Sequence, residues 1–209
     1  MPPSLRNFSN GQPRPHLLYL HVEKTGGSSI ECATQGHDLV DLGLFTNMGH
    51  TSERAVDQCR NLCTNRGAAP KTVISIREPY SWWRSLYVYG YICSYASTCT
   101  SSDFHTFMRQ AKPGIAQSNY IRRECGRPCN ADYLLRTETL AEDWLGLLRT
   151  LGLPLVGLPH ANPTGAKSRR ETPPTVFTQE IVDIIHSFDS AMFTEFGYPK
   201  RTDAPFELT

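Results

Sequence analysis

Long apolar runs are missing from this chain. Nowhere do about 18 such residues follow one another, so no segment reads as a transmembrane helix. A surplus of one charge is missing too: 21 Lys and Arg face 20 Asp and Glu, for a formal net charge of +1. No global field therefore draws the chain to nucleic acid or an acidic membrane surface, and any anion must be held locally. Internal repeats and low-complexity tracts are absent, and no interdomain linker interrupts the sequence. The opening "MPPSLRNFSNGQPRPH" lacks the apolar core of a signal peptide. Residues 1–15 read as a flexible leader and 16–209 as one domain, long enough to bury a proper core.

Cysteine is not scarce. Seven are present, six of them in close pairs: Cys59/Cys63, Cys93/Cys99 and Cys125/Cys129, with Cys32 left over. The spacing does not follow zinc-ligand patterns, so no metal site is expected. "CGRPC" at 125–129 suits a small disulfide loop or a pair of reduced thiols, and both readings stand. Cys59 and Cys63 fall four apart in a helical pattern, where disulfide geometry is poor.

Short apolar runs rich in β-branched residues, "HLLYLHV" (16–22) and "KTVISIR" (71–77), predict strands buried on both faces. "DYLLRTE" (132–138) predicts a third and "HDLVDLG" (37–43) a weaker fourth. Helical patterns lie between them over 27–35, 51–64, 79–96, 139–153 and 178–198, the last with Gly197 as its stop. Strands alternating with helices imply an α/β fold, a mostly parallel central sheet with helices on both faces. Ligands of such sheets bind at the carboxyl ends of the strands.

Two unusual segments fall there. After the first strand, Lys24-Thr25-Gly26-Gly27-Ser28-Ser29 turns into a helix. Glycines let successive backbone N–H groups converge, the helix N-terminus adds partial positive charge, and Lys24 adds a full one. With the hydroxyls of Thr25, Ser28 and Ser29, the segment makes a cradle for phosphate or sulfate. It is not the nucleoside-triphosphatase loop G-x-x-x-x-G-K-[ST], because its lysine precedes the glycines. After the second long strand, "SIREPYSWWRSLY" places Arg77 at the strand end, Pro79 at a helix start and Ser85 within the helix. An arginine so placed takes a phosphate in a bidentate grip, and a helix hydroxyl completes it.

Together these segments resemble the sulfotransferases that use 3′-phosphoadenosine 5′-phosphosulfate. The first is similar to that family's 5′-phosphosulfate loop, H-[IV]-P-K-T-G-G-[ST]-[ST], with Glu23 where proline is usual. The second matches R-x-P-x5-S, whose arginine and serine hold the 3′-phosphate. Here Glu78 replaces an aspartate, Trp82 takes a position commonly arginine, and Arg84 stands two residues on. "NMGHTSERA" (47–55) resembles the G-H-[VTS]-S segment of the glycan-type members, including the heparan sulfate 2-O-sulfotransferases, whose histidine is the catalytic base. "ANPTGAKSRRE" (161–171) resembles the basic loop that closes over the nucleotide, and "FDSAMFTEFGYP" the family's closing helix. The likeness covers roughly residues 17–199.

The resemblance implies a P-loop NTPase-like sulfotransferase fold and transfer of a sulfuryl group to an acceptor hydroxyl. It makes Lys24 and His50 catalytic, with His21, Glu31 and Glu53 as fallback bases. Lys24, Thr25, Gly26, Gly27, Ser28, Ser29, Arg77, Ser85, Lys167, Arg169 and Arg170 would bind 3′-phosphoadenosine 5′-phosphosulfate without a metal. The acceptor is a glycan or a small hydroxylated molecule, and "YSWWRSLYVYGYICSY" (80–95) offers either stacking faces or helix core. A nucleotide kinase and a non-catalytic nucleotide-binding relative are the competing classes. Compartment stays open between Golgi lumen and cytoplasm, and oligomeric state is unread.

Overall fold

Four strands form one sheet: β1 (Leu17–Leu20), β2 (Phe45–Asn47), β3 (Lys71–Ile76) and β4 (Tyr133–Arg136). The computed structural model describes residues 17–34, 45–47, 71–93, 103–125, 129–159 and 175–208. The sheet runs β2-β1-β3-β4, and every neighbouring pair is parallel. Leu18 stands opposite Thr72, and Ile74 opposite Leu134. Asp132 pins the entry to β4 against β3, accepting hydrogen bonds from Lys71 Nζ and the Thr72 backbone N–H, each at 2.8 Å.

Strands buried on both faces need cover on both, and the side chains divide accordingly. Leu18, Leu20, Ile74 and Ile76 pack into one core with α2 (Pro79–Cys93), α3 (Phe104–Gln110), α4 (Gln117–Cys125), α6 (Gln179–Phe188) and α7 (Ser190–Thr194). Leu17, Tyr19, Val73 and Leu135 pack into a second core with α1 (Gly27–Thr34) and α5 (Leu140–Thr150). The α/β architecture with a parallel sheet between helices is thus present. A small antiparallel pair, β5 (Val176–Phe177) with β6 (Phe206–Glu207), lies outside that sheet.

The strand expected at 37–43 and the helix at 51–64 lie outside the described residues. Other expectations need correction: β2 forms at Phe45–Asn47, where no element was anticipated. The single helix expected over 178–198 is two, broken at Asp189. The carboxylate there accepts hydrogen bonds from Trp83 Nε1 and the Ser118 N–H, both at 2.7 Å, and these long-range partners turn the backbone. Burial raises the Asp189 pKa, and the hydrogen bonds oppose it. Helix α3 was not anticipated either; Asp103 caps it by accepting the Thr106 N–H at 2.8 Å. Each cysteine pair has at least one member whose side chain lies outside the described set. Among the described residues, no helix is long and apolar enough to cross a membrane.

Candidate functional site

At the end of β1 the chain turns through Lys24 and Gly26, both in left-handed conformation, with φ of 63° and 85°. Glycine accepts that conformation freely, but lysine pays about 1–3 kcal/mol unless its surroundings fix it. Here they do. Trp82 Nε1 donates to the Glu23 carbonyl at 2.7 Å, and Arg77 Nη1 donates to the Lys24 carbonyl at 3.2 Å. Thr25 Oγ1 donates to the Val22 carbonyl at 2.7 Å. Its proton spent, Thr25 accepts from Ser75 Oγ at 2.6 Å, and Ser75 in turn accepts from the Tyr19 hydroxyl at 2.6 Å. Burial raises the Tyr19 pKa, so its phenol stays protonated.

Helix α1 begins where Ser29 N–H bonds back to the Gly26 carbonyl at 2.9 Å. Gly26 is favoured by its positive φ and Gly27 by a close neighbour. A Cβ on Gly26 would stand 2.5 Å from Leu140 Cδ2, and one on Gly27 would overlap the His21 ring. His21 itself is held: Nδ1 lies 2.9 Å from Glu31 Oε1, and its ring stacks on Tyr19.

Arg77 is the first residue beyond β3. Gln117 grips its backbone on both sides, accepting the Arg77 N–H at 2.7 Å and donating to the Arg77 carbonyl at 2.8 Å. The guanidinium Nε donates to Ser81 Oγ at 2.9 Å. Burial lowers the Arg77 pKa, with Glu138 and Glu78 acting oppositely, and the group stays cationic at neutral pH. Glu78 caps α2 by accepting the Tyr80 and Ser81 N–H groups at 3.1 and 2.7 Å. Glu138 accepts the Glu78 N–H at 2.7 Å and the Tyr198 hydroxyl at 3.0 Å, joining the loop after β4 to the same corner.

These parts surround a single cavity of about 540 Å³, a size suited to a small molecule or nucleotide. Lys24, Gly26, Gly27, Ser28, Ser29, Arg77 and Ser85 all line it, so the two sequence segments meet at one place. Glu138 and Glu142 line the same cavity, with Thr137, Thr139 and Leu140.

Thr25 departs from expectation: it is fully buried, and its hydroxyl braces the loop instead of lining the cavity. Of the fallback bases, His21 lines the cavity and pairs with Glu31. His50, Glu53, Lys167, Arg169 and Arg170 lie outside the described residues. Within the aromatic stretch, Tyr80, Trp82, Trp83 and Tyr87 are core, while Tyr89 is 39% exposed and carries Lys24 Nζ over its ring at 3.8 Å. Sequence reasoning missed Ser81 and Gln117, and it matched the glutamate at the end of β4, Glu138, to a family segment without giving it a role in the site. Trp82 carried a signal, since it stands where the resembling family has arginine.

Comparison with family models, with curated proteins and with solved structures found no match for this chain.

Proposed function

We propose that this protein is a sulfotransferase of the P-loop NTPase-like fold that moves a sulfuryl group from 3′-phosphoadenosine 5′-phosphosulfate to an acceptor hydroxyl, with a carbohydrate as the favoured acceptor. One observation supports the reading above the rest. The lysine–glycine–serine turn and the Arg77–Ser85 pair, 53 residues apart at Lys24 and Arg77, line one cavity and are tied by the Arg77 bond to the Lys24 carbonyl.

Each group has a chemical task in that reading. Amides and hydroxyls of Gly26 to Ser29 hold the 5′-phosphosulfate. Lys24 neutralises charge developing on the bridging oxygen as the sulfuryl group departs. Arg77 and Ser85 hold the 3′-phosphate and so fix the nucleotide's register. His50 takes the acceptor's proton, a role suited to an imidazole that is mostly neutral near pH 7. Lys167, Arg169 and Arg170 close over the nucleotide.

The test is transfer of labelled sulfate from the donor to a panel of glycans and small hydroxylated acceptors, in wild type and Lys24→Ala. Turnover in the variant is expected to fall on the order of a hundredfold, with nucleotide affinity nearly kept. Unchanged turnover with weakened binding would remove Lys24 from the transition state. Calorimetric preference for ATP over adenosine 3′,5′-bisphosphate would replace the whole reading with a kinase-type one.

A further inference from the structure

The β3–β4 ladder ends at Ile76 opposite Arg136, so the main chain of Arg77 lies just past its last strand partner. A buried N–H and C=O at that point need other partners. Gln117 supplies both from a single planar amide, although it comes from α4, 40 residues along the chain. Its side chain is fully buried. A planar amide bonded to both main-chain groups of one residue acts like one rung of a missing strand, and it fixes the direction in which that residue's side chain leaves the backbone.

That direction matters at Arg77. The guanidinium must reach Ser81 Oγ and the Lys24 carbonyl together while it faces the cavity. Gln117 is itself held by the next residue. Ser118 N–H donates to Asp189 Oδ1 at 2.7 Å, and Ser118 Oγ donates to the Phe188 carbonyl at 3.1 Å. Asp189 also receives Trp83 Nε1. The start of α4 is therefore locked to α2 and to the α6–α7 joint, and through Gln117 it transmits that placement to the arginine.

We infer that Gln117 is a positioning residue that aims the Arg77 guanidinium and so sets the cavity's preference for a nucleotide carrying a 3′-phosphate. This rests on the sulfotransferase reading for the identity of the ligand. Removing the amide leaves the arginine's charge in place but its orientation unset, so selectivity falls further than general anion affinity.

The experiment compares calorimetric affinities for adenosine 3′,5′-bisphosphate and adenosine 5′-phosphate in wild type, Gln117→Met, Gln117→Glu and Ser118→Ala. Wild type is expected to prefer the bisphosphate strongly. In Gln117→Met that preference falls about tenfold, the scale of one misaligned charge-assisted hydrogen bond, while affinity for the monophosphate hardly moves. Gln117→Glu keeps an acceptor for the Arg77 N–H but turns a carboxylate oxygen on the Arg77 carbonyl and brings negative charge to the phosphate site, so its preference falls at least as far, and it serves if the methionine variant does not fold. Ser118→Ala loses only the hydroxyl bond to the Phe188 carbonyl; its backbone N–H still bonds Asp189, so the helix start stays in place and the wild-type preference is kept while some stability is lost. A folded Gln117→Met with full preference overturns the inference and leaves the sulfotransferase reading intact. Equal affinities in wild type overturn both together.

Discussion

Gly27→Ala tests the packing of the loop through the sign of its effect. Gly27 opens α1, and alanine is the better helix former by up to about 1 kcal/mol, so propensity alone predicts a gain. The structure predicts a loss. A Cβ at Gly27 would overlap His21 Nε2 and Cδ2 and stand 2.7 Å from Cε1. The ring cannot swing away cheaply, because Nδ1 is tied to Glu31 at 2.9 Å and its face rests on Tyr19. Overpacking of that kind costs about 1–3 kcal/mol, which leaves a net loss of up to about 2 kcal/mol after the full helical gain. For a chain of 209 residues that is up to about 8 °C in Tm. Thermal and urea unfolding of wild type, Gly27→Ala, His21→Ala and the double variant close a cycle. With His21 truncated, Gly27→Ala becomes neutral or stabilising. Equal destabilisation in both backgrounds refutes the contact, and a stabilised single variant refutes the steric argument outright.

Trp82→Phe removes the donor to the Glu23 carbonyl and is expected to cost about 1–3 kcal/mol. It also loosens the anion loop, so calorimetric affinity for adenosine 3′,5′-bisphosphate falls with stability. His50→Ala is expected to abolish sulfuryl transfer nearly completely while sparing nucleotide binding; a near-normal rate moves the base to His21 or a carboxylate. Asp132 gives a pH test. Its burial alone would raise the pKa, but hydrogen bonds from Lys71 and Thr72 outweigh it, so the folded pKa lies below the ordinary value. Between the folded value and the unfolded value near 3.9 the unfolded chain binds more protons. The contribution is thus full at neutral pH and fades as pH drops below about 4. Asp132→Asn should be less stable than wild type at pH 7, with the gap shrinking in acid; a constant gap in chemical denaturation would discard the ion pair as its source.

What the sequence made legible was local. The apolar runs of β1 and β3 announce buried strands, and the residues just after them do line one cavity, because short-range patterns carry both signals. The reading of Thr25 as a cradle hydroxyl failed because its decisive partner, Ser75, lies 50 residues away on β3. The break at Asp189 was invisible for the same reason, since its partners sit on α2 and at the start of α4. Gln117 lies in a segment without clear periodicity, and nothing near it in sequence points to Arg77.

Those distant partners make the site stiff before any ligand arrives. Lys24 sits in a conformation costing about 1–3 kcal/mol, and only the surrounding structure keeps it there. Three tethers do so from separate elements: Trp82 on α2, Arg77 at the end of β3, and Thr25 through Ser75. Each contributes about 1 kcal/mol net, so together they cover even the upper end of that strain, which no single one does. Loss of one tether should therefore relax Lys24 without unfolding the domain. Under the sulfotransferase proposal, a loop held this way would spend little binding energy on ordering, which is the condition for aiming a lysine at charge that exists only during transfer.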